Sequence, residues 1–124
     1  MPPTILVCDN EEPLRALVRA TLEPSRCTIV EARDGDEAIE QARELKPDLI
    51  LLDMMMPGRS GIDVLEELRA EPELAAIPVI MLTARTQTAD RDAAADAGVT
   101  RFVAKPFSPL ELAAIVESEL ADRR

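Results

Sequence analysis

Short apolar runs alternate with longer amphipathic segments along the 124 residues of the chain. Apolar runs with no polar residue at alternate positions predict strands that are buried on both faces. The sequence predicts five strands, at Thr4–Cys8, Cys27–Ala32, Leu49–Leu52, Val79–Leu82 and Arg101–Ala104. Strands of this kind are typical of a parallel sheet that is covered by helices on its two sides.

Each predicted strand is followed by a segment whose apolar residues recur at helical spacing. The helices are bounded by capping pairs, prolines and a glycine stop at Gly98. They are predicted at Pro13–Leu22, from Asp34 to before Pro47, from Ser60 to about Ala70, at roughly Thr88–Ala97, and from Ser108 to about Asp122. In the first helix, the residues expected to face the core are Leu14, Leu17, Val18 and Leu22. The chain is therefore predicted to form one α/β domain over residues 1–124.

The charge of the chain narrows the range of partners. Twenty-four acidic residues against 14 basic ones give a net charge of −10, so we expect no direct binding to nucleic acid or to anionic membranes. No apolar run approaches the roughly 20 residues that span a bilayer. There is no histidine, which excludes a histidine phosphodonor, a Ser-His-Asp hydrolase and a histidine-ligated metal site.

The two cysteines do not form a disulfide framework. Cys8 lies inside one apolar run and Cys27 begins another, so we interpret both as reduced thiols in the core. Free core thiols are typical of proteins in a reducing compartment, and we expect a cytoplasmic location.

Polar residues follow the predicted strands at the edge of the sheet where their carboxyl ends meet. Asp9 follows the first strand, Asp53 the third, Thr83 the fourth and Lys105 the fifth. Each has an ordinary interpretation by itself: a turn cap, a strand former or a surface lysine. Ligands of such sheets bind at this edge, so the four residues together predict a site there.

The chemistry of these residue types indicates phosphoryl transfer. Two carboxylates about 4 Å apart repel each other by about 4 kcal/mol at an effective dielectric constant near 20, which favours a bound cation. Oxygen ligands on an open edge suit Mg²⁺. A metal ion, an ammonium and a hydroxyl around one carboxylate would neutralise a transferring phosphoryl group, and the carboxylate itself would form an acyl phosphate.

Four motifs with consistent spacing resemble the receiver domain of bacterial response regulators. They are Ile5-Leu6-Val7-Cys8-Asp9, Asp53-Met54-Met55-Met56-Pro57-Gly58 with Gly61, Thr83-Ala84, and Lys105-Pro106-Phe107. The resemblance covers essentially the whole chain. It implies a flavodoxin-like fold with a five-stranded parallel sheet in the order 2-1-3-4-5 and helices on both faces.

The resemblance also implies a role for each site residue in a two-component phosphorelay. Asp53 would accept a phosphoryl group from a histidine kinase or a histidine phosphotransfer protein, and Lys105 and Thr83 would bind that group. Asp9, Asp53 and the backbone carbonyl of Met55 would hold Mg²⁺. Phe102 would act with Thr83 as a switch residue, and the bond before Pro106 would be cis. The domain would not be a separate enzyme, although it would catalyse its own phosphoryl transfer and slow dephosphorylation.

Asn10 departs from the pattern of the family. A second acid that binds the metal usually follows the first, so Asn10 is expected to be a weak ligand or none, and Mg²⁺ affinity is expected to be reduced. The alternative is a receiver-like interaction module that acts without phosphorylation. Met55 and Arg85 occupy positions that govern how long the phosphoryl group persists, and neither would position a water, so we expect slow hydrolysis. An enzyme of similar shape, a haloacid-dehalogenase-type phosphatase, is disfavoured because Met55 stands where it needs an acid.

The signal is expected to leave through the surface formed by the fourth helix, the fifth strand and the fifth helix. Its target would be a downstream protein partner or an output domain missing from this chain. Ile115 and Glu117 break the charge scheme with which many family members pair through this surface. Ile115 is interpreted either as an apolar contact for a partner or as the edge of the core. Met54, Met55 and Met56 are expected to pack the loop rather than to bind a metal through sulfur.

Overall fold

A computed structural model describes residues 2–84 and 88–122 of the chain. The strands are β1 (Thr4–Cys8), β2 (Thr28–Ala32), β3 (Leu49–Asp53), β4 (Val79–Ala84) and β5 (Arg101–Lys105). The helices are α1 (Glu12–Leu22), α2 (Gly35–Leu45), α3 (Gly61–Ala70), α4 (Thr88–Asp96) and α5 (Pro109–Asp122). A short 3₁₀ turn, Glu23–Ser25, follows α1. In this part of the chain, no helix combines the length and the apolar character needed to cross a bilayer.

The strands form one sheet in the order β2-β1-β3-β4-β5, and every neighbouring pair is parallel. This confirms the predicted flavodoxin-like α/β fold. Strand order reverses between β1 and β3, which lie side by side with Cys8 opposite Leu52. The carboxyl ends of both strands therefore border the crevice in which this type of sheet binds ligands.

Two apolar clusters fill the two faces of the sheet. Successive side chains of a strand point to opposite faces, so Leu6 and Cys8 of β1 join one cluster, and Ile5 and Val7 join the other. The first cluster includes the inward residues of α2 and α3, and the second includes those of α1 and α5. Three layers of structure thus hold the strand ends in place.

Several predicted boundaries are shifted by a residue. Cys27 lies just outside β2, because Arg26 adopts a left-handed conformation (φ 57°) that turns the chain before the strand begins. Cys27 is half-buried, whereas Cys8 is fully buried, and neither forms a disulfide. Helix α1 begins at Glu12, one residue earlier than predicted, and α4 ends at Asp96, one residue earlier. Gly98 has a φ of +95°, as a helix stop of this kind requires.

The inward face of α1 differs from the prediction. Its buried residues are Arg15, Val18 and Leu22, and the expectation that Leu17 faces the core is wrong, because its side chain is 44% exposed. Spacings of three and four residues place the three buried residues on one stripe against the sheet and α5. Leu17 instead lines a shallow surface groove with Phe107.

Candidate functional site

The ends of β1 and β3 bring two carboxylates together at the edge of the sheet. Asp9 directly follows β1 and is fully buried, and Asp53 is the last residue of β3 and is 4% exposed. Their buried positions follow from the strands, because each carboxylate comes directly after four consecutive buried apolar residues. A carboxylate in such a place loses much of its hydration and needs compensating partners.

Lys105 at the end of β5 joins the two carboxylates. Its Nζ lies 3.0 Å from Oδ1 of Asp53 and 3.2 Å from Oδ2 of Asp9. The lysine side chain is 27% exposed, so the ammonium remains accessible to solvent while it contacts both acids. Three of the residues predicted from the strand ends therefore form one charged cluster, which we call the acidic pocket (Asp9, Asp53 and Lys105).

The pKa values in the acidic pocket reflect burial and the charges that lie close together there. Burial raises the pKa of Asp53 above its ordinary value, the charge of Asp9 raises it further, and Lys105 opposes both without cancelling them. For Lys105, burial lowers the pKa, but the hydrogen bonds and charges of Asp53 and Asp9 together outweigh burial, and the pKa is raised. One ammonium between two carboxylates leaves a net negative charge that a further cation would offset.

Asp9 is held from several directions. Its Oδ1 accepts the Glu11 backbone N–H at 2.8 Å, and its own N–H donates to the carbonyl of Ala32 at 3.1 Å. Its carbonyl accepts Nη1 of Arg15 at 2.7 Å, and Arg15 is itself buried. The sequence analysis missed Arg15. The available signal was its position on the stripe that also carries Val18 and Leu22, where an arginine requires a partner.

The loop after Asp53 packs closely against the end of β3. The N–H of Gly61 donates to the carbonyl of Met54 at 2.9 Å, and a Cβ on Gly61 would collide with the carbonyl oxygen of Asp53. The Met55 N–H is directed at Asp53 Oδ1, 3.4 Å away, while the Met55 side chain is 60% exposed. Met54 and Met56 are buried in the core and pack the loop as expected, whereas the expectation is wrong for Met55, whose side chain points to solvent.

Thr83 and Phe102 lie on neighbouring strands, β4 and β5. Thr83 of β4 is buried, and its hydroxyl donates to Sδ of Met54 at 3.5 Å. Phe102 of β5 is half-buried and packs against the apolar cluster on the side of α2 and α3. The two residues therefore lie on the same face of the sheet.

Of the remaining predicted residues, those that the structure describes are not part of the charged cluster. Asn10 is exposed at the rim, and Pro106 is exposed and preceded by a cis peptide bond. Arg85 lies outside the described residues. Ile115 is half-buried against the cluster under α5, which favours the edge of the core over a free apolar contact, while Glu117 is exposed.

The donor set is compatible with a divalent cation. Mg²⁺ is commonly bound through one or two carboxylates, with water and substrate phosphate as the other ligands. Asp9 and Asp53 supply two carboxylates, and the backbone of Met55 lies next to Asp53. Within residues 2–84 and 88–122, no group of three His, Cys, Asp or Glu residues forms a cage, so most ligands would have to come from water, main chain and phosphate.

The sequence profile of the response regulator receiver domain matches residues 5–117. The chain belongs to this family. It is a receiver domain of a response regulator in two-component signalling. Receiver domains are generally not classified as enzymes, and they generally bind Mg²⁺ at a pocket of acidic residues.

Two curated proteins similar to this receiver domain are transcriptional regulatory proteins. The phosphate regulon transcriptional regulatory protein PhoB of Escherichia coli K12 is 45% identical over 114 residues, which cover 92% of this chain and 50% of PhoB. The transcriptional regulatory protein ResD of Bacillus subtilis 168 is 46% identical over 116 residues, which cover 94% of this chain and 47% of ResD. The chain spans about half the length of the curated relatives it matches.

A solved receiver domain has the same fold over nearly its whole length. The receiver domain of the Francisella response regulator 1452 superposes with a TM-score of 0.89 and 29% identity, covering 98% of this chain and 99% of that one. The sheet, the helices on its two faces and the positions of the strand ends are therefore those of an isolated receiver domain.

Proposed function

We propose that this receiver domain accepts a phosphoryl group on Asp53. The donor is the phosphohistidine of a histidine kinase or of a histidine phosphotransfer protein, because the relatives are response regulators of two-component systems. The observation that carries the proposal is the contact of Lys105 with both carboxylates, at 3.0 and 3.2 Å. A structural ion pair would need one carboxylate, whereas this ammonium serves two that come from separate strands.

The chemical step is a displacement at phosphorus. An Oδ atom of Asp53 attacks the phosphoryl group, the bond between phosphorus and the imidazole nitrogen of the donor breaks, and its electron pair stays on that nitrogen. Negative charge moves toward the phosphoryl oxygens. The Lys105 ammonium, already 3.0 Å from Asp53, is close enough to neutralise one of them.

Asp9, Asp53 and the carbonyl of Met55 would hold Mg²⁺, with water and the phosphoryl oxygens as further ligands. When bound, the ion offsets the charge of the acidic pocket and of the incoming phosphoryl group. Thr83, on the strand next to β3, would exchange its contact with the Met54 sulfur, at 3.5 Å, for a phosphoryl oxygen. Phe102 would then move inward with it.

The response is a shift in the population of the surface formed by α4, β5 and α5. Phosphorylation replaces the single negative charge of the Asp53 carboxylate by the nearly two negative charges of an acyl phosphate in a small buried site, which is enough to bias two nearby conformations. The relatives PhoB and ResD are transcriptional regulators about twice as long as this chain. The signal would therefore pass to an output domain or to a downstream protein by contact.

Intact-mass spectrometry tests the proposal. Wild type and Asp53→Asn are incubated with acetyl phosphate and Mg²⁺, and we expect one phosphoryl adduct on wild type and none on the variant. Glu73, an exposed acid that lies between α3 and the start of β4, serves as the matched control, and Glu73→Gln should be modified like wild type. An adduct of equal yield on Asp53→Asn would overturn the proposal.

A second candidate is a receiver-like interaction module that acts without phosphorylation. Two observations favour it: Asn10 is exposed and uncharged, and the described residues hold no cluster of three acids. Calorimetric titration with Mg²⁺ separates the two. If the domain works in a phosphorelay, we expect weak Mg²⁺ binding by wild type, tighter Mg²⁺ binding by Asn10→Asp and a phosphoryl adduct in both proteins. If it is an interaction module, we expect neither Mg²⁺ binding nor a phosphoryl adduct in wild type.

Met55 bears on the lifetime of the adduct. Its side chain is 60% exposed beside Asp53 and carries no group that would orient a water for attack on phosphorus. We therefore propose slow self-dephosphorylation. Adduct decay is followed by mass spectrometry after removal of the donor. Met55→Asn, which offers an amide to a water, should shorten the half-life, and a half-life of seconds in wild type would contradict the proposal.

A further inference from the structure

A buried arginine below the acidic pocket is linked to Asp9. Arg15 of α1 is 7% exposed, and its guanidinium contacts two different residues. Its Nη1 donates to the backbone carbonyl of Asp9 at 2.7 Å, and its Nε donates to Oε1 of Glu31 on β2 at 2.9 Å. A buried cation with this geometry connects the edge strand of the sheet to the residue that follows β1.

Arg19, one helical turn further along α1, provides an internal comparison. It donates to the other oxygen of the same Glu31, with Nε at 3.0 Å and Nη2 at 2.8 Å. Its side chain is 48% exposed, and its remaining contact is with the carbonyl of Ile29 rather than with Asp9. The two arginines therefore share one carboxylate, and of these two only Arg15 contacts the backbone of the acidic pocket.

We propose that Arg15 is a positioning residue for metal binding at Asp9, with Glu31 as its anchor; this inference rests on the proposed function. Arg15 holds the carbonyl of Asp9 while the Ala32 carbonyl accepts the Asp9 N–H, so the Asp9 backbone is fixed on both sides. The direction of the Asp9 carboxylate toward Lys105 follows from that backbone. Partners of this outer kind orient the ligands of a metal, and their loss commonly weakens binding by about 10- to 100-fold.

The decisive comparison is Arg15→Met against Arg19→Met. Both variants remove one guanidinium from Glu31, so a general weakening of α1 and β2 would affect both. We expect Arg15→Met to weaken Mg²⁺ binding, measured by calorimetry, by about 10-fold or more, and Arg19→Met to change it less than about 2-fold. Equal affinities in the two variants would overturn the inference.

A second readout does not depend on the metal. The ¹³C signal of the Asp9 carboxyl group and the amide signal of Asn10 are recorded at one pH without Mg²⁺. Both should move in Arg15→Met and stay in place in Arg19→Met; unmoved signals in Arg15→Met would overturn the inference. If wild type binds no Mg²⁺, the proposed metal role fails while these signals still test the positioning of Asp9.

Glu31→Gln is a second variant that tests the inference if Arg15→Met does not fold. This variant leaves Arg15 in place but removes the carboxylate that anchors it. We expect the same direction of change at Asp9 and in Mg²⁺ affinity, of smaller size than in Arg15→Met. No change at Asp9 in Glu31→Gln, with Arg15→Met unfolded, would count against the proposed anchor and against the inference.

Discussion

Two clusters of charged side chains lie near the end of β1, and they have opposite compositions. The acidic pocket contains two carboxylates and one ammonium, whereas the second cluster contains two guanidinium groups, Arg15 and Arg19, and one carboxylate, Glu31. The pKa of Asp53 is raised, by burial above all. The pKa of Glu31 is lowered by the hydrogen bonds and charges of Arg19 and Arg15, which outweigh burial.

This difference distinguishes the acidic pocket, whose charges favour a reaction, from the second cluster, whose charges stabilise the fold. Glu31 is surrounded by more positive charge than it needs, so its ionised form is stable and the cluster holds its shape. The acidic pocket has less positive charge than its two carboxylates need, so a further bound cation would stabilise it. Contacts that hold the fold and contacts that carry chemistry thus use the same residue types in different ratios.

The largest effect is expected from removing the cation of the acidic pocket. Lys105→Met leaves two buried carboxylates without an ammonium and should lower the free energy of unfolding at pH 7 by about 3 kcal/mol. Because burial holds the pKa of Asp53 above its ordinary value, part of the loss should disappear as the pH falls and Asp53 is protonated. Urea denaturation at several pH values measures this.

The control for that variant is Lys46→Met. Lys46 pairs with the exposed Glu73, and its own side chain is 55% exposed, so removing it should change stability by less than about 1 kcal/mol. If Lys105→Met and Lys46→Met lost the same stability, the acidic pocket would not be short of positive charge.

In the second cluster, the matching variant removes a negative charge instead of a positive one. Glu31→Gln leaves the buried guanidinium of Arg15 without its carboxylate and should cost about 2 kcal/mol at pH 7. In wild type this contribution is present above the ordinary pKa of a glutamate, and it is lost as the pH falls through the lowered pKa of Glu31. The difference in stability between wild type and Glu31→Gln should therefore shrink as the pH falls, which acid denaturation followed by circular dichroism measures. A difference that stays constant down to the acid transition would contradict this account.

The smallest effect is expected at the phosphoacceptor itself. Asp53→Asn removes the carboxylate that repels Asp9 and keeps the shape of the side chain, so without metal it should leave stability unchanged or raise it by about 1 kcal/mol. Denaturation in the presence of a chelator measures this difference. A clear loss of stability would mean that Asp53 serves the fold, as Glu31 does.

The sequence predicts the sheet well because the signals are local. Apolar runs mark the strands, and Asp9, Asp53 and Lys105 follow them directly, so the rule for parallel strands is enough to bring them to one edge. Arg15 was missed because its partner at Asp9 is a backbone carbonyl, which no residue type in a sequence reveals. The wrong inward assignment of Leu17 has a related cause: hydrophobic spacing on α1 did not account for an arginine on the buried stripe.

The central claim is that the acidic pocket has less positive charge than its two carboxylates need, and that Asp53 is the reason. Stability measured against Mg²⁺ concentration tests this claim most directly. The free energy of unfolding of wild type should rise with the logarithm of Mg²⁺ concentration, by about 1.4 kcal/mol for each tenfold increase above the dissociation constant. For Asp53→Asn the same titration should be nearly flat. Equal slopes in the two proteins would contradict the account.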